Sequence, residues 1–392
     1  MFCLKTGVTS LYEHATHNWL TKLCVMRSSL VKFENAVLFQ NGAIGDFLMA
    51  IYLAELLRES GCVERITIIV PRNLNFLQGL IESYPHISVV EISRRRGWVQ
   101  PLKMTRGPTL VTIQPTVGTI PLKVKFAAWL LSRRRGSEYV GFQDQGLLCK
   151  TLYSKPLVYN TDRLYSENMQ SVVRALGASV HSQIPTLRIT PDSKRVQACG
   201  LDQRRYMVFH PAASARKRSF SVQNARDVIA YVLASNPEMH VVLSGGSADR
   251  EFIEEIVNGL RTKDRIVTAL AWSAQDIAAL IKSAEFYLGI DTGITHLACF
   301  LQARVIVVAH SNTAANWLPF YCPTATVLYR LKEERAVHQS REHLNTKANG
   351  RVKPFGVVPI NAICEILDGC LKVGSKHCTE ADLEPPMNAT LL

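Results

Sequence analysis

The sequence predicts an α/β protein built from two successive Rossmann-like halves. Three observations carry this. Short β-branched apolar runs alternate with segments whose apolar residues recur at helical spacing through most of the 392 residues. Glycine-containing turns follow several of the strands, at the position where α/β proteins gather ligands. The alternation pauses near Ile184-Pro185-Thr186 and then restarts, which marks a linker. The expected layout is an extension over 1–30, a first half over 31–185, a second over 186–371 and a tail over 372–392.

In the first half, Ala36 to Gln40 reads as a strand and Asn41-Gly42-Ala43-Ile44-Gly45-Asp46 as a turn. Leu48, Ile51, Tyr52 and Leu56 then recur at helical spacing until Gly61, and Ile66 to Val70 is a second strand closed by Pro71. This strand, glycine turn, helix, strand series is a βαβ unit with Asp46 at its ligand-binding end, although the dinucleotide fingerprint GxGxxG is absent. Val89 to Ile92, Leu110 to Ile113 and Tyr139 to Phe142 read as strands. Leu122 to Leu131 reads as a helix with Lys123 and Lys125 on its polar face, and Met169 to Leu176 as another helix.

The second half opens with a strand at Tyr206 to His210 and a turn through Ser214 to Lys217, then a helix from Val222 to Ala234. His240 to Ser244 is a strand ending at Gly245-Gly246, with a helix from Ala248. Gln275 to Lys282 is a helix, Phe286 to Ile290 a buried strand, and Val305 to Ala309 a further strand. Residues 330–353 read as a charged loop and Ile360 to Leu371 as the last helix. The tail with Pro385-Pro386 has a disordered composition.

Composition narrows the class. No run of 18 apolar residues occurs, so no spanning helix is expected. Glu13, His14, His17 and Lys22 interrupt the first thirty residues where a signal peptide needs an apolar core. Ten cysteines scattered singly, with no CxxC pair, point to a reducing, cytoplasmic setting. The net charge is +13, and between Ile92 and Arg135 there are ten Lys or Arg residues and no Asp or Glu. Such a field suits phosphorylated, acidic or membrane-surface partners, or is simply a solvated basic surface. Nucleic acid is not expected, because no stacking aromatics interleave Arg94, Arg95 and Arg96.

Four stretches can carry chemistry. Asp46 reads either as a helix N-cap or as a general base aimed into the cleft between the halves. Lys217, flanked by Arg216 and Arg218, is either a solvated loop cation or a counter-charge for phosphate, with Ser214 donating to the same group. Gly245 and Gly246 permit close backbone approach, whether to a ligand or to a neighbouring helix, and Asp249 suits a cap. Asp291, Thr292, Gly293 and His296 place a carboxylate, a hydroxyl, a glycine and an imidazole within six residues. A carboxylate beside a diphosphate repels it, so Asp291 is expected to face hydroxyls and the Thr292 and Gly293 amides a phosphate. His296 suits a phosphate donor or a group that orients Asp291. No second His or Cys stands at metal-ligand spacing, so no metal and no other cofactor is expected.

Taken in order, these motifs resemble glycosyltransferase family 9, the ADP-heptose:lipopolysaccharide heptosyltransferase family. Gly42-Ala43-Ile44-Gly45-Asp46 resembles the family's G-x-x-G-D turn, and Val140-Gly141-Phe142 its short strand after the acceptor-side helix. His210-Pro211-Ala212-Ala213-Ser214 with Lys217 is similar to the H-P-G-A-S…K-x-W segment, with Ala213 in place of glycine and Ser219 near the tryptophan position. Leu243-Ser244-Gly245-Gly246 matches the middle strand turn, and Asp291 to Ala298 resembles D-T-G-x-x-H-L-A. Trp317 and Pro319 fall where the family often has Trp-x-Pro.

The resemblance implies a GT-B architecture, with two Rossmann-like domains facing across a cleft, and metal-independent, inverting transfer. Carried over, Asp46 is the catalytic base. Ser214, Lys217, Gly245, Gly246, Asp291, Thr292, Gly293 and His296 hold a nucleotide-sugar donor, expected to be ADP-heptose. The charge run then gains a role: Arg94, Arg95, Arg96, Lys103, Arg106 and Lys123, with Gly45, are expected to engage an acidic glycolipid acceptor of lipopolysaccharide biosynthesis. The basic patch would then lie on the inner face of the bacterial inner membrane, as a peripheral attachment. A nucleotide-sugar epimerase of the same fold and a catalytically degenerate binding protein are the alternatives. Turnover without acceptor would mark the first, and binding without turnover the second.

Overall fold

The computed structural model describes residues 32–40, 43–70, 75–91, 103, 105, 107–114, 122–142, 153–181, 183–309, 315–330, 336–339 and 358–372. The first sheet contains β1 (Phe33–Phe39), β2 (Val63–Val70), β3 (Ile87–Glu91), β4 (Thr109–Ile113), β5 (Glu138–Phe142) and β6 (Lys155–Leu157). All pairings are parallel and the order is β3-β2-β1-β4-β5-β6. The second contains β7 (Arg205–His210), β8 (Met239–Gly245), β9 (Ile266–Leu270), β10 (Phe286–Ile290), β11 (Val305–Val308), β12 (Ala325–Arg330) and β13 (Val337–His338). Its order is β13-β12-β11-β10-β7-β8-β9, parallel except for the β12–β13 pair.

Each order reverses direction once. The first sheet turns back between β1 and β4, the second between β10 and β7. Crevices for ligands open at the carboxyl ends of strands at such switch points. The turns that carry Asp46, Lys217 and Asp291 all leave from these four strands.

The helix after β1, α1 (Ile44–Glu59), is buried on nearly every side from Gly45 to Leu57. A helix that is apolar all round must be covered all round. One side of α1 lies on β2, and other sides meet α4 (Tyr165–Ala175) and α9 (Gly293–Phe300), the latter from the second half. One apolar cluster therefore joins the halves, running from Phe47 and Leu53 to Leu297 and Phe300. The linker is tied to the second half, with Leu187 N–H donating to Phe300 C=O at 2.9 Å and Gln302 Nε2 to Pro185 C=O at 3.3 Å.

The remaining helices are α2 (Asn75–Ile81), α3 (Leu122–Ser132), α5 (Lys194–Ala198), α6 (Val222–Ser235), α7 (Arg250–Asn258), α8 (Ala274–Lys282) and α10 (Ile360–Lys372). Among the described residues, none is long and apolar enough to cross a membrane. α2, α5, β6, β9, β12 and β13 are not marked by periodicity in the sequence. Most are short, and β9 is an edge strand with a partly exposed face, so each carries little period of its own. A 3₁₀ turn at Ser247–Asp249 precedes α7, where a helix from Ala248 is expected. Within the expected 330–353 loop, Val337–His338 pairs with β12, and residues 340–357 lie outside the described residues.

One face is corrected. Lys125 is not on the polar side of α3 but buried, while Phe126 is 49% exposed. The inner stripe of α3 runs through Ala127, Ala128 and Leu131, which cover β1 and β4, and Lys125 falls on that side of the helix. A lysine stem lies readily along apolar surface.

Candidate active site

Asp46 sits in the first turn of α1. Ala43, not Asp46, is the N-cap; Asp46 stands at the third helical position, where its Oδ2 accepts a hydrogen bond from the Ala43 N–H at 2.9 Å and so caps the helix from within. Burial pushes its carboxyl above the usual carboxylate range, opposed by the Ala43 N–H and by the charge of His296. Its negative charge in turn adds to the burial that raises the Tyr159 and Tyr165 phenols. The carboxylate thus faces an aromatic, poorly solvated space.

Opposite Asp46 stands the start of α9. Thr292 has extended backbone at the N-cap and makes no side-chain cap, so the first N–H groups of α9 receive no such partner. Gly293 opens the helix because nothing larger fits. A Cβ there would lie 2.6 Å from Ile44 Cβ and 3.0 Å from Gly45 N. Gly45 is the reciprocal case, since a Cβ on it would come within 3.2 Å of His296 Cδ2. The amino ends of α1 and α9, from different sheets, therefore abut glycine to glycine. At Gly45 the side-chain direction is taken up by this contact with α9.

His296 lies buried between two carboxylates. Its Nδ1 is 2.7 Å from Tyr321 Oη. Its Nε2 is 3.3 Å from Asp291 Oδ1, an ion-pair distance without hydrogen-bond alignment, and Oδ1 is left buried with no hydrogen-bond partner. Both ring nitrogens thus have a polar neighbour, Nδ1 the Tyr321 hydroxyl and Nε2 the Asp291 carboxylate. The unmet Oδ1 is a ready acceptor for a hydroxyl. Behind it, Thr295 holds Tyr287 Oη at 3.0 Å and the Ile290 carbonyl.

The β7 turn brings the cations. Lys217 is exposed in a 3₁₀ turn spanning Arg216–Arg218. It lines a cavity of about 400 Å³ with Arg216, Arg218, Ser221, Ile290 and Val308. Ile290 is the residue before Asp291, so this cavity runs from Lys217 to the end of β10. Arg216 stacks on Phe252, 3.3 Å from the ring centroid, and Arg218 Nη2 donates to Ser214 Oγ at 3.0 Å. The Ser214 hydroxyl is thus already engaged by a cation. Ser219, near the family's tryptophan position, accepts from the Ala213 N–H at 2.9 Å and closes the loop. His210 is buried with Nδ1 3.0 Å from Ser244 Oγ, and burial lowers its pKa to about 4, so it is neutral in ordinary buffers.

Gly245 and Gly246 serve their own turn. Asp249 Oδ2 accepts from the Gly246 N–H at 2.8 Å, and a Cβ on Gly245 would lie 3.0 Å from Asp249 Cβ. Asp249 stands at the N-cap of α7 but makes no side-chain cap there; its carboxylate caps the preceding 3₁₀ turn instead. The glycines provide close approach to it.

Several groups at the cleft escape a reading by motif. Tyr165 stacks on Trp317 with centroids 3.8 Å apart, and Asn316 Nδ2 donates to Tyr159 Oη. With Tyr321 they form an aromatic wall near Asp46 and His296. Only Trp317 carries a sequence signal, through its turn. Tyr159 and Tyr165 come from the first half, and nothing in their local pattern marks them.

Of the basic residues, Arg94, Arg95, Arg96 and Arg106 lie outside the described residues. Lys103 is exposed, and Lys123 is in the first turn of α3. Arg134 is spent locally on the Thr105 carbonyl and hydroxyl, and Arg133 lies over Trp129, 5.8 Å from the ring centroid. Among the described residues, no three or more His, Cys, Asp or Glu side chains cluster so as to hold a metal ion.

Residues 125–348, more than half of the chain, match the profile of glycosyltransferase family 9 (heptosyltransferase). The chain belongs to glycosyltransferase family 9. This family 9 enzyme shares its fold with a glycosyltransferase family 9 protein from Veillonella parvula, at TM-score 0.67 and 15% identity, covering 88% of this chain and 98% of that one. It is also similar to E. coli ADP-heptose lps heptosyltransferase II, at TM-score 0.63 and 15% identity, covering 86% and 98%. E. coli heptosyltransferase WaaC with ADP gives TM-score 0.59 and 14% identity, covering 86% and 99%. Among individual curated proteins, none matches the sequence. The fold of the family 9 glycosyltransferase is therefore GT-B, and its donor is a nucleotide sugar. The profile match begins after Asp46, so the geometry around that residue stands on the structure alone.

Proposed function

We propose that this family 9 glycosyltransferase moves heptose from ADP-heptose to a lipopolysaccharide-core acceptor, with inversion and without a metal ion. The observation that carries the reading is the junction of α1 and α9. It sets Asp46 and Asp291 on either side of His296, at the switch points of two facing sheets. Asp46 takes the proton of an acceptor hydroxyl as its oxygen attacks the anomeric carbon. The bond from that carbon to the diphosphate oxygen breaks, and the nucleoside diphosphate leaves. Lys217 and the uncapped N–H groups of α9 balance its charge, and Asp291 Oδ1 accepts from a donor hydroxyl.

Thermal unfolding with a panel of nucleotide sugars tests the donor. A ligand at 100 times its Kd stabilises the folded state by about 2.7 kcal/mol. ADP-heptose is expected to raise the midpoint more than uridine- or guanosine-linked sugars, and Asp291→Ala to abolish the shift. A larger shift with another nucleotide sugar would reassign the donor.

We place the acceptor's membrane side at α3. Phe126 is exposed and stacks on Trp129 with centroids 5.6 Å apart, beside Arg133 and within the basic segment 92–135. Aromatic rings flanked by cations suit an anionic interface. The protein should sediment with vesicles rich in anionic phospholipid, less so as salt rises, and Phe126→Ser should weaken this. Equal binding to zwitterionic vesicles would count against a charge-driven attachment.

A further inference from the structure

The crevice between β1 and β4 holds a polar side chain that the reaction above does not use. Gln114 follows β4 and is 1% exposed, yet neither its amide nitrogen nor its amide oxygen has a hydrogen-bond partner. Thr112 Oγ1, two residues earlier, is also buried and unpartnered. A native structure rarely leaves such groups unmet.

Their placement follows from the strand. Leu110 belongs to the apolar cluster around α1, whereas Val111 and Ile113 belong to the cluster under α3. Alternation puts Thr112 and Gln114 on the α1 face with Leu110. Thr112 pairs with Leu38 and Ile113 with Phe39, and Gln114 N–H donates to Phe39 C=O at 3.0 Å. Gln114 is therefore the neighbour of Gln40, whose Nε2 donates to Ala43 C=O at 3.0 Å. Ala43 is the residue whose N–H Asp46 holds. Gln114 thus lies at the switch point, beside the turn that aims Asp46. Next along is β5, where Phe142 meets Tyr159 edge-on with centroids 5.7 Å apart.

We propose that Gln114 is an acceptor-positioning residue, which binds a hydroxyl of the acceptor sugar next to the one that Asp46 deprotonates. A carboxamide both donates and accepts, and so suits adjacent sugar hydroxyls. Thr112 supports the same polar floor. This rests on the first-half crevice being the acceptor side, as proposed above. It adds the residue that fixes which acceptor oxygen is presented.

The test compares wild type, Gln114→Met and Asp46→Asn, using ADP and deacylated core oligosaccharide as titrants and ADP-heptose for turnover. Gln114→Met keeps the side-chain volume and removes the unmet amide, so its melting temperature should equal or exceed that of wild type. Its affinity for the oligosaccharide should fall about tenfold or more, the equivalent of about 1.4 kcal/mol, with ADP affinity unchanged. Asp46→Asn should keep both affinities and lose turnover. Oligosaccharide binding as tight in Gln114→Met as in wild type would overturn the proposal, leaving Gln114 as the seat of a buried water. Wild-type turnover in Asp46→Asn would instead overturn the base assignment, so the two failures are distinct.

Discussion

Asp46→Asn is expected to lose transfer by about 10²–10⁴-fold, the usual cost of removing a general base, while donor affinity stays within a few-fold of wild type. The asparagine oxygen can still accept the Ala43 N–H, so the first turn of α1 is kept. The base acts only when ionised, and burial raises its pKa. The wild-type rate should therefore rise with pH along a limb that lies above the range of an exposed carboxylate, and the variant should lack that limb. Stability runs the other way. A carboxyl with a raised folded pKa binds its proton more tightly folded than unfolded, so stability declines as pH rises through that value. Asp46→Asn should match wild type in acid and melt no lower, or higher, near neutrality. Donor affinity falling as far as transfer would remove Asp46 from the role of base.

Lys217→Ala should lose donor binding and transfer together, with transfer down by about 10²–10³-fold. The exposed Lys217 contributes nothing visible to the core, so its melting temperature without ligand should barely change. Arg216 is held on Phe252 and Arg218 on Ser214, so neither is free to replace it without breaking its own contact. Lys217→Arg should recover part of the donor affinity, since the charge is retained while the point donor becomes a planar fork. Unchanged ADP affinity in Lys217→Ala would show that the diphosphate lies elsewhere along the cavity.

The two predictions differ because the two residues differ in surroundings. Asp46 is pressed into a junction where burial changes its chemistry, and Lys217 lies on an open turn at the mouth of a cavity. From the sequence both are charged residues in a segment that follows a strand, Asp46 alone and Lys217 between two arginines. Asp249 has the same local signature and proves to be a cap for Gly246. A capping bond and a place in the cleft are not alternatives, since Asp46 has both. The glycines divide in the same way. Gly293 and Gly45 are small because two helices meet there, and Gly245 because Asp249 folds back onto it.

Local order along the chain determined a great deal here. Strand–turn–helix units, the restart at the linker and the clustering of Asp291 to His296 depend on residues close in sequence, and periodicity reports them directly. The order of the motifs was also enough to indicate the family. What the tertiary structure alone decided is which turns meet. Strand order sets the switch points, and only that order brings α1 against α9, His296 between two carboxylates, and Tyr165 onto Trp317. The unmet amide of Gln114 belongs to this second class. A glutamine after a strand looks ordinary in sequence, because burial without a partner is a property of everything that surrounds it.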